Sequence, residues 1–167
     1  KGKMTEWDGA VLIGDFKHGK AHGKGTLTWT KPSYPDSTYV GDWKEGVYHG
    51  KGTLTYYGSS VYEGEFADGK LHGKVKHTDL NGKIFEGSYT NENCDDVGRL
   101  TWPDGEIYEG ELLWNLPGGK GKLIKPDGTV CEGNFEDGLP IGIVKITYPD
   151  GSVFEGELTD DELFKAY

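Results

Sequence analysis

Apolar and polar residues alternate with a period of two along most of this chain. In "YEGEF", Tyr62, Gly64 and Phe66 fall on one side of an extended backbone and Glu63 and Glu65 on the other; in "TLTY", Leu54 and Tyr56 oppose Thr53 and Thr55. This alternation predicts half-buried β-strands, because successive side chains of a strand point to opposite faces. Between the strand runs stand "ADGKLHG" and "PDG", which supply glycine and aspartate where the backbone must reverse. Each pair of runs therefore predicts a β-hairpin, with His72 in its turn.

The hairpins recur. The glycine of the Tyr-x-Gly-x-Phe unit returns at Gly41, Gly64, Gly87, Gly110, Gly133 and Gly156, every 23 residues, and Gly14 stands 27 residues before the first of these. The four extra residues fall in "KPSYPDS", where Pro32 and Pro35 mark a longer connection. "GKMTEWDGAV" at the start aligns with "GKLIKPDGTV" at residues 121–130, so the chain begins in mid-repeat, as a piece of a longer array would. The expected organisation is one array: a half repeat at 1–11, repeats at 12–38, 39–61, 62–84, 85–107, 108–130 and 131–153, and a partial repeat with a cap at 154–167.

Assembled from its recurring pieces, the unit looks like "YEGEFADGKLHGKGTLTYPDG" and resembles the MORN family (membrane occupation and recognition nexus repeats) over nearly the whole chain. The expected fold is all-β: an elongated, twisted, single-layer antiparallel sheet of successive 23-residue MORN hairpins. Fourteen strands about 4.8 Å apart would extend on the order of 65 Å. A short C-terminal helix is expected from "TDDELFKAY", where Thr159 and Glu162 fit a capping box.

The alternation assigns residues to faces. Tyr39, Tyr62, Phe85, Tyr108 and Phe154 form one row, beside a second row of Trp43, Phe66, Tyr89, Leu112 and Phe135, with the repeat glycine letting rings lie close over the backbone. On the other face, Ile13 and Val40 give way to Glu63, Glu86, Glu109 and Glu132, while thirteen positions later Thr26 and Thr53 give way to Lys76, Arg99, Lys122 and Lys145. Both positions change at the same unit. The expected cross-strand pairs are Glu63–Lys76, Glu86–Arg99, Glu109–Lys122 and Glu132–Lys145, each worth about 0.2–1 kcal/mol.

Composition agrees with a thin structure: 28 glycines, one Met and 34 % hydrophobic residues leave burial to the aromatic 13 %. A net charge of -10 excludes a general nucleic-acid surface. The charge is two-ended: residues 1–84 carry 12 Lys against 10 acids and all five histidines, whereas residues 85–167 carry 6 bases against 18 acids. Cys94 and Cys131 follow neither a zinc-finger nor a disulfide pattern, and no apolar run has the length of a membrane span. A reduced, cytoplasmic protein is expected, without metal or cofactor.

Each candidate chemistry meets a plainer reading. Glu63 and Glu65 stand at a spacing that glycosidic acid/base pairs use, but the motif is reiterated along the chain, whereas an active site needs one special copy. His22, His49 and His72 share a repeat position, yet equivalent atoms two strands apart are about 10 Å from one another, too far for one metal ion. Cys94, Asp95 and Asp96 read as a loop cluster. Lys24, Lys51 and Lys74, with Lys120, make a basic edge for anionic phospholipid headgroups, a use that relatives among plant lipid kinases also suggest. His77 and Asp79 replace the apolar and aromatic residues of the other units. Leu139, Ile141 and Ile143 replace Lys and His near the last turn, and with Leu163, Phe164 and Tyr167 they are expected to cap the sheet edge or form a homodimer contact, as in protozoan cytoskeletal relatives.

The function expected is that of a scaffold without catalysis. Its partner groove would be built by Tyr39, Trp43, Tyr62, Phe66, His77, Asp79, Phe85, Tyr89 and Tyr108, and would take a peptide or amphipathic helix, favoured if basic, with homodimerisation at the C-terminal end. Service in a cytoskeletal or membrane-associated assembly would suit it. The alternatives are a phospholipid-binding module, or the accessory region of a lipid kinase or SET-domain methyltransferase.

Overall fold

A computed structural model describes residues 1–6, 9–31, 34–56, 60–90 and 93–158. The strands form one open antiparallel sheet in which spatial order follows chain order from first to fourteenth, and no helix occurs among the described residues. Thr159, Glu162, Leu163, Phe164 and Tyr167, and with them the expected C-terminal helix, lie outside the described residues.

The chain divides into two compact units, Lys1–Cys94 and Asp95–Tyr167. The first holds β1 (Gly2–Thr5), β2 (Val11–Lys17), β3 (Lys20–Lys31), β4 (Tyr34–Lys44), β5 (Val47–Tyr56), β6 (Ser60–Ala67), β7 (Lys70–Thr78) and β8 (Ile84–Thr90). After β9 (Asn93–Thr101), which begins at the boundary, the second holds β10 (Ile107–Leu113), β11 (Leu116–Ile124), β12 (Val130–Glu136), β13 (Leu139–Thr147) and β14 (Val153–Glu157).

Two kinds of reversal alternate. The tight tips place two residues at positive φ: His18-Gly19, Glu45-Gly46, Asp68-Gly69, Trp114-Asn115 and Asp137-Gly138. Two consecutive left-handed residues match the right-handed twist of the flanking strands, which is why a glycine follows a small or polar residue at most of them. The other reversals are held by an aspartate: Asp104, Asp127 and Asp150 accept a hydrogen bond on Oδ1 from the amide two residues on, at 3.1, 2.8 and 2.9 Å. The amide bond favours the ionised form of Asp127, and a bond from the Ser152 hydroxyl at 2.6 Å, with the amide bond second, does so for Asp150, so both titrate below the ordinary carboxylate range. His22, His49 and His72 lie on β3, β5 and β7 rather than in the tips, because each reversal is completed by the two residues before the strand starts.

The expected register is present at three of the four expected pairs. Glu63 stands opposite Lys76, Glu109 opposite Lys122 and Glu132 opposite Lys145. Each lysine also faces the carboxylate of the next strand, Glu86, Glu132 and Glu155 respectively, so opposite charges alternate along the rungs. Two contacts are close: Arg99–Glu109 at 3.5 Å and Glu132–Lys145 at 3.9 Å.

Candidate functional site

In unit 1 the aromatic residues form a core around Tyr39. Its ring stacks on Tyr48 at 3.8 Å and meets Trp43 and Phe66 edge-on at 5.4 and 5.1 Å. Such pairs are worth about 0.5–1.5 kcal/mol each beyond the area they bury. The ring also lies on bare backbone: a Cβ at Gly52 would stand 2.5 Å from the Tyr39 hydroxyl. That hydroxyl donates to the Asp42 carbonyl at 2.9 Å, and burial pushes its pKa up to about 12. Tyr108 repeats the arrangement in unit 2, over Gly110 and Gly121, donating to the Glu111 carbonyl at 2.8 Å.

The expected open groove is therefore largely filled from within. Tyr39 and Tyr108 are 0 % exposed, and Trp43, Phe66, Phe85 and Tyr89 are also buried, packed on one another and on glycine. A strand irregularity after the repeat glycine, at Gly14, Gly41, Gly64 and Gly110, brings neighbouring rings edge to face, which alternation alone does not reveal.

Tyr62 and His77 remain half-buried. In their unit Val75 replaces the glycine found at Gly25, Gly52, Gly98 and Gly121, and its side chain covers Gly64. Denied that seat, Tyr62 stacks flat on His77 at 4.0 Å, and His77 Nε2 is 2.9 Å from Ser60 Oγ. Burial holds the His77 pKa below its ordinary value, despite the nearby Asp79. Ser60, His77 and Asp79 do not assemble a nucleophilic triad, however: Asp79 lies beyond the end of β7, where its Oδ1 accepts from the amides of Asn81 and Lys83 at 2.8 and 3.0 Å. It is a loop-forming residue and not part of an aromatic groove.

Unit 1 keeps open a concavity of about 820 Å³ on the opposite face, lined by Ile13, Val40, Lys24, Lys51, Lys74 and Glu65, and a groove of about 550 Å³ on the aromatic face. Leu12, Leu27, Trp29, Trp43 and Tyr48 give the groove an apolar wall, and Lys20 and Glu45, paired at 3.6 Å, stand on its rim. Trp43 Nε1 has no hydrogen-bond partner among the described residues.

The lysines of the basic edge are exposed on the opposite face and alternate with acids. Lys24 stands across from Asp42, with Nζ to Oδ1 at 2.7 Å, and Lys51 across from Glu65; Lys74 faces Ser88. Asp42 is held below the ordinary carboxylate range first by its bond to Lys24. Two of the three lysines are thus set against acids, which lowers the positive field of this face without cancelling it.

Leu139, Ile141 and Ile143 are exposed on β13, alternating with the buried Pro140 and Val144. Sequence reading missed their neighbour Trp114, although the signal was there: Trp-Asn stands where the other described tips carry a polar residue and glycine.

Six segments, 13–31, 39–61, 62–74, 97–107, 108–130 and 131–153, together more than half of the chain, match the family model of the MORN repeat. The matches pause between Lys74 and Val97, the interval that contains Val75, His77 and Asp79. No curated protein matches the chain.

Proposed function

Because the chain belongs to the MORN-repeat family, we propose that it is a non-catalytic scaffold whose unit 1 groove holds a segment of a protein partner within a cytoplasmic assembly. MORN repeats form binding modules for proteins or membranes, and the choice of a protein rests on one observation. The concavity of about 550 Å³ is walled by two indoles, a tyrosine and two leucines, with a single ion pair on its rim. Apolar walls with a few charges at the edge suit an amphipathic segment, whose buried aromatic contacts would carry most of the affinity. An anionic headgroup would draw on Lys24, Lys51 and Lys74, of which Lys24 is paired with Asp42 and Lys51 stands across from Glu65, so that Lys74 alone faces an uncharged residue.

Affinity capture with the intact chain and with Trp29→Ser tests this reading. The expected result is a protein retained by the intact chain, lost on Trp29→Ser and kept on Lys24→Glu. Flotation with phosphatidylserine vesicles supplies the opposing outcome: binding abolished by Lys24→Glu and unaffected by Trp29→Ser would make the chain a lipid module instead.

A further inference from the structure

The described surface of unit 2 carries an apolar patch that the groove does not use. Trp114 is 89 % exposed at φ 54°, and it makes no ring contact or hydrogen bond among the described residues. A bulky residue in the left-handed region is disfavoured by contact of its Cβ with the backbone, and an indole in water adds nothing to offset it. Asp68 and Asp137 occupy the same tip position in other hairpins, so a tip of this geometry does not require tryptophan. An outlier of this kind, kept without a structural return, points towards a binding role.

Its surroundings extend the patch. Leu113 and Leu116, both exposed, face each other across the rung next to the tip. The Gly138 amide donates to the Pro117 carbonyl at 3.0 Å, so the tip between β12 and β13 abuts β11 beside Leu116. From that tip Leu139, Ile141 and Ile143 run outward along β13, Ile143 being 71 % exposed. Carboxylates interleave with them: Glu136 stands opposite Leu139, Glu157 opposite Ile143, and Asp137 forms the tip. These three acids have no ion pair among the described residues. In sequence, residues 95–167 hold 16 Asp and Glu against 6 Lys and Arg.

We propose that this face of unit 2 is a second docking surface, whose occupant is a basic amphipathic segment of another protein, with apolar side chains seated around Trp114 and Lys or Arg against Glu136, Asp137 and Glu157. Charge selects this occupant over the other two. A second copy placed face to face would set the three carboxylates against their own kind, and like charges juxtaposed at an interface are strongly disfavoured. An anionic bilayer is repelled for the same reason. A cationic amphipathic segment satisfies both the apolar stripe and its acidic rim.

The probe is a fluorescent helical peptide with one leucine face and one lysine face, titrated against the full chain and followed by anisotropy. Saturable binding is expected, weakened several-fold on raising salt from 0.05 to 0.5 M. Trp114→Asp restores the residue of other tips and should weaken binding about ten-fold even though it adds a negative charge. Ile143→Lys, which introduces the residue found at Lys24, Lys51 and Lys74, should do the same. Leu80→Ser, at an exposed apolar residue outside both surfaces, should leave this binding unchanged, which shows that the loss is specific to the patch. Circular dichroism of each variant confirms that the sheet persists. The proposal is overturned if Trp114→Asp binds the peptide as tightly as the parent, if a leucine/glutamate peptide binds equally well, or if phosphatidylserine vesicles compete. It is equally overturned if the chain sediments as a dimer that Ile143→Lys converts to monomer, because the patch then belongs to a second copy.

Discussion

The two units use the same 23-residue hairpin and close their inner faces with different chemistry. Unit 1 relies on rings: Tyr39, Trp43, Tyr48 and Phe66 meet in stacked and edge-to-face pairs within 6.0 Å. Unit 2 has Tyr108 against Phe135 at 5.0 Å and otherwise buries Leu100, Leu112, Leu123, Cys131, Val144 and Ile146. Their charges differ too, with 12 bases against 12 acids in residues 1–94 and 6 against 16 in residues 95–167. The turns and the glycine beneath the ring are common to both units. The filling of the core and the charge of the surface are therefore the parts that repeats exchange freely.

Truncating one fully buried side chain in each core should break the comparison most strongly. Tyr39→Ala is expected to lose about 3–5 kcal/mol of stability in urea unfolding, because it empties a fully buried site with three aromatic neighbours. Leu123→Ala in unit 2 should fall lower in the 2–5 kcal/mol range typical of leucine. Equal losses would mean that ring pairing adds nothing to burial.

Glycine tests the shared part. Gly52→Ala puts a methyl group against the Tyr39 ring and Gly121→Ala puts one against Tyr108, so each should cost about 1–3 kcal/mol. Tyr39→Leu should be less harmful in the Gly52→Ala background than alone, and additive effects would show that the contact does not couple the two positions.

The hydroxyls come next: Tyr39→Phe and Tyr108→Phe each remove one bond to a backbone carbonyl, at about 1 kcal/mol, and the two values should agree.

The smallest effect is confined to unit 1, which holds every histidine. His77 has a lowered pKa because burial disfavours its charged form; Ser60, Tyr62, Asp79 and Lys83 surround it. The unfolded chain then takes up the proton first. Stability should be complete above the ordinary histidine value near 6.5 and fall as pH drops below it. His77→Leu should flatten the urea midpoint between pH 7.5 and 5.5; an unchanged slope would assign the dependence elsewhere.

Much of this was legible in the sequence because a strand's period is short and its register is local. Glu63 and Lys76 could be paired from the simultaneous change of two repeat positions, and the structure places them opposite each other. The openness of the aromatic face was not legible. Whether Tyr39 lines a groove or fills one depends on the irregularity after Gly41 and on ring tilt, neither of which leaves a periodic trace. Asp79 was misread because its repeat position follows the end of the strand, as Trp102 and Tyr148 do, and so belongs to a reversal, here held by its own carboxylate. Trp114 escaped because attention to strands passes over hairpin tips, where one substitution changes what the surface offers.

The seating of Tyr39 on Gly52 also orders events in time. A lineage that acquires a side chain at the glycine before it shrinks or tilts the ring must cross an unstable intermediate, whereas the reverse order passes only through a cavity. Val75, with Tyr62 turned aside onto His77, is a viable end point of such a path. In an array of nearly identical hairpins the ring and the glycine beneath it therefore change as a pair: Val75 goes with a Tyr62 turned aside, and Val144 with Cys131 in place of a ring.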